Sequence, residues 1–224
     1  WSAVEHVAAL GLEWMETDLR LTADGIVVLS HDEDLRRTAG DPRTVGEVMW
    51  AELADLDSGD GRGFVRLDDA LHAHPTMRFN VDLKDSNVVQ AALQTVRDAE
   101  ALDRVRFASF SARRLAVLRR QEPRAMTSLG VSDVLGLMLR SEAAVPLPQT
   151  RWGWTRGRVD AVQVPESYHG VPVVTRRFVA SAHTADLEVH VWTVDEPERM
   201  RQLADLNVDA IMTDVPTLAL QTLG

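Results

Sequence analysis

Residues 14–32 read WMETDLRLTADGIVVLSHD and form the strand, turn and strand around which the chain is organised. Apolar and polar residues alternate over its first eight positions. Because successive side chains of a strand point to opposite faces, Glu16 and Asp18 are predicted to share one face. Asp24-Gly25 between β-branched runs predicts a two-residue hairpin turn, since glycine adopts a positive φ without steric cost. A hairpin closed there would place Asp18 opposite His31.

This hairpin would bring two carboxylates and an imidazole within a few ångströms. Like charges so close raise each other's pKa unless a cation compensates, which indicates a bound metal or an acid/base pair. Oxygen ligands favour Mg²⁺ or Ca²⁺ over Zn²⁺, which prefers nitrogen and sulfur. The alternative is a solvated strand face that exposes Glu16 and Asp18, with His31 capping a turn.

The composition is that of an ordinary globular protein. The chain has 224 residues, of which 45% are apolar and 26% charged, so it can bury a sizeable core. Its net charge of −10 opposes nonspecific binding to nucleic acid or anionic membranes. The absence of cysteine excludes disulfides and thiolate metal sites. No apolar run is long enough to span a membrane. We expect a cytoplasmic protein; any signal peptide would lie upstream of Trp1.

Strands and helices alternate along the remaining chain. With the strand at 14–21, seven strands are predicted, the others at 78–83, 105–110, 125–129, 159–164, 188–194 and 208–212. Repeated strand-then-helix units favour a parallel sheet with helices outside. We predict a single (β/α)₈ barrel domain over residues 1–224, with an eighth strand before Trp1 and the active site at the C-terminal strand ends. An open doubly wound sheet is the alternative, but no glycine-rich phosphate loop follows any strand.

Several helix starts are predicted from capping residues. The predicted N-caps are Ser86, Ser111, Thr175 and Asp195, and Thr44 with Glu47 forms a capping box before a short helix. Each N-cap precedes apolar residues at helical spacing, so one face of each helix is predicted to pack on the sheet.

Polar residues also occupy the end of the strand at 78–83. Asn80, Asp82 and Lys84 share a face by the period-two rule, so Asp82 is a candidate third carboxylate ligand. Lys84 beside it would offset negative charge on a substrate. A structural salt bridge is the alternative, because buried lysines are unusual unless paired. At a later strand end, Trp192 is either an apolar wall of the pocket or a packed core side chain.

These residues resemble the glycerophosphodiester phosphodiesterase family. The resemblance rests on Met15-Glu16-Thr17-Asp18, on residues 21–32 with the Asp-Gly turn and the His-Asp pair, on Leu35-Arg36-Arg37-Thr38, on Asn80-Val81-Asp82-Leu83-Lys84, and on residues 52–57, 107–111, 191–194 and 208–216. It covers nearly the whole chain. The fixed order of the acid pair, the turn and the His-Asp pair makes it specific.

The resemblance implies a (β/α)₈ barrel that hydrolyses glycerophosphodiesters to glycerol 3-phosphate and an alcohol with a divalent metal ion, Mg²⁺ or Ca²⁺. The implied roles are metal ligation by Glu16, Asp18 and Asp82, proton donation to the leaving alkoxide by His31, phosphate binding by Lys84, and contact with the glycerol end by Trp192. The family usually has glutamate in place of Asp82, so the shorter side chain would shift the ion or admit a water.

One family motif does not occur in this sequence. The family's first strand ends in His-Arg-Gly, and Trp1-Ser2-Ala3-Val4-Glu5 resembles the chain just beyond that segment. We expect the segment upstream of Trp1, because a closed barrel that lacks a strand exposes two long unpaired edges. Two alternatives remain: an inactive barrel that binds a phosphorylated ligand, and a related phospholipase that forms a cyclic phosphate. The expected partner is a small-molecule substrate rather than nucleic acid, and no oligomeric state is indicated.

Overall fold

The structure, a computed structural model, describes residues 1–58, 63–142 and 158–224. The described chain divides into two compact units, Trp1–Ala108 and Ser109–Gly224. No helix in these ranges is long and apolar enough to cross a membrane.

The first unit contains the strands that carry the acid and lysine motifs. Its elements are α1 (Ser2–Ala9), β1 (Trp14–Leu21), β2 (Val27–Leu29), α2 (Arg36–Ala39), a 3₁₀ turn (Val45–Glu47), α3 (Trp50–Ala54), β3 (Val65–Arg66), α4 (Leu67–Ala73), β4 (Arg78–Leu83), α5 (Val88–Asp98) and β5 (Val105–Ala108). The strand order is β5-β4-β1-β2-β3. β1 runs parallel to β4, β4 runs parallel to β5, and β2 is antiparallel to β1 and β3. The predicted strands at 14–21 and 78–83 are confirmed to the residue.

The register between β1 and β2 differs by one residue from the prediction. Leu19 pairs with Leu29, and the Ser30 N–H donates to the Asp18 carbonyl at 2.9 Å. Asp18 therefore lies opposite Ser30, and its predicted pairing with His31 is wrong. The cause is the turn, which has three residues rather than two between Thr22 and Ile26.

The longer turn is stabilised by its own side chains. The Thr22 N–H donates to the Ile26 carbonyl, and the Ile26 N–H donates to Thr22 Oγ1 at 2.9 Å. The Thr22 hydroxyl also donates to Asp24 Oδ1 at 2.6 Å. Gly25 takes the left-handed conformation with φ of 82°, as three-residue hairpin loops require. The hydrogen bonds of Thr22 therefore favour a three-residue loop over the predicted two-residue turn.

The second unit repeats the strand-then-helix pattern. Its elements are α6 (Ala112–Gln121), β6 (Met126–Ser128), α7 (Val131–Glu142), β7 (Arg158–Pro165), β8 (Ser167–Tyr168), β9 (Val171–Pro172), α8 (Arg176–Thr184), β10 (Glu188–Trp192), α9 (Pro197–Ala204), β11 (Ala210–Ile211) and α10 (Pro216–Leu223). Four of its strands lie parallel in the order β11-β10-β7-β6. All seven predicted strands are therefore present, although several end earlier than predicted. The helix α7 and the hairpin β8-β9 were not predicted.

Three of the predicted caps are confirmed. The Ser111 side chain accepts from the N–H of Arg114, and that of Thr175 accepts from the N–H of Phe178. The Glu47 carboxylate accepts from both the N–H and the hydroxyl of Thr44. These side chains satisfy backbone donors that the first helical turn leaves without intrahelical partners.

Two predicted caps are wrong. The helix after Ser86 begins one residue later than predicted, with Asn87 at the N-cap. At α9, Pro197 occupies the first helical position and so makes Glu196 the N-cap. The Asp195 carboxylate accepts instead from the Thr213 hydroxyl at 2.8 Å and the Asp214 N–H at 2.9 Å. It thereby joins the end of β10 to the segment after β11.

The backbone at Gly130 packs closely against the first residue of α6, Ala112. A Cβ at Gly130 would lie 2.5 Å from the N and Cα atoms of Ala112, so the backbone would have to move. We expect Gly130→Ala to lower the free energy of unfolding by about 1–3 kcal/mol. Gly136, inside α7, has no neighbour within 4 Å of such a Cβ. We expect Gly136→Ala to raise the free energy of unfolding by about 0.5–1 kcal/mol.

Urea unfolding of both variants, followed by circular dichroism, checks this pair. Equal shifts of the two unfolding midpoints would contradict it, because only the Gly130 variant has a steric reason to be destabilised.

Candidate active site

Asp18, Asp82 and Lys84 converge near the C-terminal ends of two parallel strands. Asp18 on β1 and Asp82 on β4 lie directly opposite each other in the parallel register. The Lys84 Nζ lies 2.7 Å from Asp18 Oδ1 and 2.9 Å from Asp82 Oδ2. The three side chains are only 20% exposed or less. The predicted shared face is present, and so is the salt bridge that was the structural alternative for Lys84.

The electrostatics of this cluster keep Lys84 charged. Burial opposes the ammonium form, but the hydrogen bonds and charges of Asp18 and Asp82 outweigh burial and raise the pKa of Lys84 above its ordinary value. The stabilisation from this pairing is therefore complete at neutral pH, and is lost only as the pH rises above the ordinary lysine range. Two carboxylates and one ammonium leave the cluster with a net charge of −1.

Glu16 occupies the same face of β1, two residues before Asp18. It lies opposite Asn80 in the register and is exposed. Within residues 1–58, 63–142 and 158–224, no group of three or more His, Cys, Asp or Glu side chains is arranged to hold a metal ion. The donor chemistry nevertheless suits Mg²⁺ or Ca²⁺, because Asp18 and Asp82 direct carboxylate oxygens at a single cationic atom. The ligand set Glu16, Asp18 and Asp82 stays a prediction.

His31 lies in the segment after β2, where its imidazole is held by Asp32. The His31 Nδ1 lies 2.9 Å from Asp32 Oδ1, and Arg37 Nε donates to Asp32 Oδ2 at 2.6 Å. The Arg37 hydrogen bond, followed by that of His31, lowers the pKa of Asp32 to about 2. Asp32 is thus an anion at neutral pH and accepts a hydrogen bond from the Nδ1–H of His31. This leaves Nε2 as the position for proton exchange.

The imidazole of His31 faces solvent. Its side chain is 71% exposed, whereas the carboxylate of Asp18 is 12% exposed. The register shift described above accounts for part of this difference, since Ser30 rather than His31 pairs with Asp18. The structure therefore brings Asp18, Asp82 and Lys84 together, and attaches His31 to the same strand pair through its backbone.

Trp192 ends β10 in the second unit. Its ring meets that of Phe110 edge-on, with 5.6 Å between ring centroids. Phe110 is 58% exposed, so this aromatic pair of the second unit is accessible at the end of β10. The predicted contact of Trp192 with glycerol stays a prediction.

Arg20 and Asp85 were not predicted as site residues. Arg20 Nη1 donates to Asp85 Oδ2 at 2.9 Å, and its Nε and Nη2 donate to the His31 carbonyl at 3.3 and 3.1 Å. The period-two rule that places Glu16 and Asp18 on one face also places Arg20 there, so the sequence did indicate that Arg20 lies near the acids. Its hydrogen-bond partners could not be predicted in the same way, because they depend on the turn length and on which strands pair.

The family model and the similar proteins point to the same family. Residues 2–218 match the glycerophosphoryl diester phosphodiesterase family. A Mycobacterium tuberculosis protein named "Probable glycerophosphodiester phosphodiesterase 2" is 36% identical over 214 residues, which are 95% of this chain and 80% of the relative.

Solved structures show the same fold. The glycerophosphoryl diester phosphodiesterase domain of another M. tuberculosis protein is 18% identical, with a TM-score of 0.80 over 97% of this chain and 91% of its own. An Oleispira antarctica phosphodiesterase, solved with the product sn-glycerol-3-phosphate, is 18% identical with a TM-score of 0.77 over 99% of this chain and 89% of its own. These similarities confirm the predicted (β/α)₈ barrel class. The chain belongs to the glycerophosphoryl diester phosphodiesterase family and is an enzyme of that class.

Proposed function

We propose that this protein hydrolyses glycerophosphodiesters to glycerol 3-phosphate and an alcohol in a reaction that requires Mg²⁺ or Ca²⁺. The observation that carries the proposal is the convergence of Asp18, Asp82 and Lys84 near the C-terminal ends of neighbouring parallel strands. In barrels of this class, that end of the strands forms the active site. Family membership supports the reaction class.

Lys84 binds the phosphate in this proposal. Two of its three ammonium N–H groups are directed to Asp18 and Asp82, which leaves the third for a phosphoryl oxygen. The raised pKa of Lys84 keeps this donor charged at neutral pH. A cation that is already oriented stabilises charge as it builds up on the phosphoryl oxygens, without reorganising during the reaction.

His31 protonates the leaving alkoxide. Asp32 orients the ring through Nδ1 and stabilises the imidazolium, while Arg37 keeps Asp32 ionised. Nε2 then carries the proton that is transferred. Histidine suits this task because its ordinary pKa lies near neutrality. The exposure of the ring allows an alcohol group of variable size to lie against it.

Glu16, Asp18 and Asp82 would hold the metal ion through their carboxylate groups. When bound, a divalent ion supplies positive charge that polarises the phosphoryl group. The flexible side chain of Lys84 can move toward the substrate.

The test uses the purified full-length protein with Mg²⁺ or Ca²⁺ and glycerophosphocholine, glycerophosphoethanolamine or glycerophosphoglycerol. We expect release of glycerol 3-phosphate and, in ¹⁸O-labelled water, incorporation of the label into its phosphate. Phosphorus NMR would reveal a cyclic phosphate, which would instead support attack by an internal hydroxyl. Binding of the substrate without turnover would support the non-catalytic alternative. Calorimetric titration with Mg²⁺ and Ca²⁺ measures metal binding independently of activity.

A further inference from the structure

Arg20 joins the segment that carries His31 to the segment that carries Lys84. It lies two residues beyond Asp18 on β1 and therefore points to the same face. Its guanidinium donates to the backbone carbonyl of His31 through Nε and Nη2, and to the carboxylate of Asp85 through Nη1. The Arg20 side chain is 12% exposed. The largely buried guanidinium of Arg20 thus binds the backbone of His31, whose imidazole is exposed.

The geometry of this contact favours a positioning role over general packing. A guanidinium is planar, so three N–H groups on two partners fix its orientation and theirs. The partners belong to different segments, since His31 follows β2 and Asp85 follows β4. Asp85 is also the immediate neighbour of Lys84. The fork therefore links the backbone of the proposed proton donor to the side chain that follows the proposed phosphate-binding cation.

The segment that carries His31 is held at its far end by the hydrogen bond from the Val45 N–H to the Glu33 carbonyl at 2.9 Å. The hydrogen bond of His31 to Asp32 connects it to a neighbour in the same segment, which orients the ring but does not anchor that segment to the strands. Arg20 supplies an anchor from β1, in addition to the hydrogen bond between Ser30 and Asp18. Of the contacts named here, the fork is the one that grips the His31 carbonyl itself, so its loss would loosen His31 between the Ser30 and Glu33 anchors while leaving the His31 and Lys84 side chains intact.

We propose that Arg20 is a positioning residue which, with Asp85, sets the place of His31 relative to the phosphate during proton transfer. This rests on the proposed function of His31 as the general acid. Displacement of a catalytic group by about 1 Å can cost on the order of 100-fold in rate. We therefore expect Arg20→Gln to lower kcat by about 10- to 100-fold and to change KM by less than about twofold.

The experiment compares two substrates in the full-length enzyme, glycerophosphocholine and glycerophospho-p-nitrophenol. They differ only in the leaving group, and p-nitrophenolate leaves without protonation. If Arg20 acts through His31, Arg20→Gln reduces kcat for the choline ester and leaves the nitrophenyl ester nearly unchanged. The double variant with His31→Ala should then be no slower than His31→Ala alone. Arg20→Lys keeps the charge but not the fork, so it should restore little activity.

Arg43→Gln is the matched control. Arg43 also forms a guanidinium fork, to Asp41 and Glu52, but on an exposed surface. We expect it to leave both kcat values unchanged. Asp85→Asn removes one arm of the Arg20 fork and should show the same leaving-group pattern more weakly; it gives the result even if Arg20→Gln fails to fold. Equal losses on both substrates, or losses additive with His31→Ala, would overturn the proposal. An inactive wild-type enzyme would instead refute the proposed function.

Discussion

Replacing His31 with alanine lowers kcat for glycerophosphocholine by about 10²- to 10⁴-fold, the range contributed by a general acid. The imidazole is held by Asp32, and Asp32 is kept ionised by Arg37, so the proton on Nε2 is the one available to a leaving alkoxide. Without it, the alkoxide must leave unprotonated. In the proposed mechanism Lys84, rather than this ring, binds the phosphate, so KM should change little.

The leaving group decides whether His31 acts as an acid. For glycerophospho-p-nitrophenol, we expect the loss in His31→Ala to shrink to less than about tenfold, because the phenolate needs no proton. His74→Ala, which removes an imidazole at the end of α4, is the control and should retain full activity. Equal losses on the two substrates would exclude proton donation by His31.

The second large effect is expected at Asp82. Asp82→Asn removes one of the two carboxylates that converge on the Lys84 ammonium and one predicted metal ligand. We expect kcat to fall by about 100-fold. The Mg²⁺ concentration that gives half-maximal activity should rise by about 10-fold or more. Asp82→Glu restores the charge with the longer side chain that the family usually has, so it should retain most of the activity.

Activity measured against Mg²⁺ concentration separates these effects. Asp55→Asn, which removes an exposed carboxylate at the end of α3, is the control and should follow the wild-type curve. Unchanged metal dependence in Asp82→Asn would remove Asp82 from the ligand set. Its role in holding Lys84 would remain to explain any loss of rate.

Local sequence patterns predicted most of the strands and the shared face of the acids. Alternation placed β1 and β4 to the residue, and it grouped Asp18 with Glu16 and Asp82 with Lys84. These predictions succeed because side-chain direction along a strand depends only on the backbone. The caps at Ser111 and Thr175 were also predictable, because each contact joins residues only three positions apart in the sequence.

Features that depend on distant contacts were not predictable in this way. The turn at Thr22 differs by one residue from the Asp-Gly signal, because hydrogen bonds of Thr22 with Ile26 and Asp24 compete with the shorter loop. Asp195 caps no helix because it meets Thr213 and Asp214 across the sheet. The fork of Arg20 requires knowing that the segments after β2 and β4 lie side by side.

The three-residue hairpin loop constrains how this enzyme can diverge. Deletion of a single residue from the loop would shift every pairing between β1 and β2 and turn the inward-facing side chains of β2 outward. His31 would move along the strand pair with them, away from the carbonyl contact that Arg20 now makes. Other surface connections can vary in length with little penalty, whereas a one-residue change between Thr22 and Ile26 shifts the β1–β2 register. A short solvent-exposed loop that contains none of the proposed site residues therefore sets where His31 lies relative to the acids.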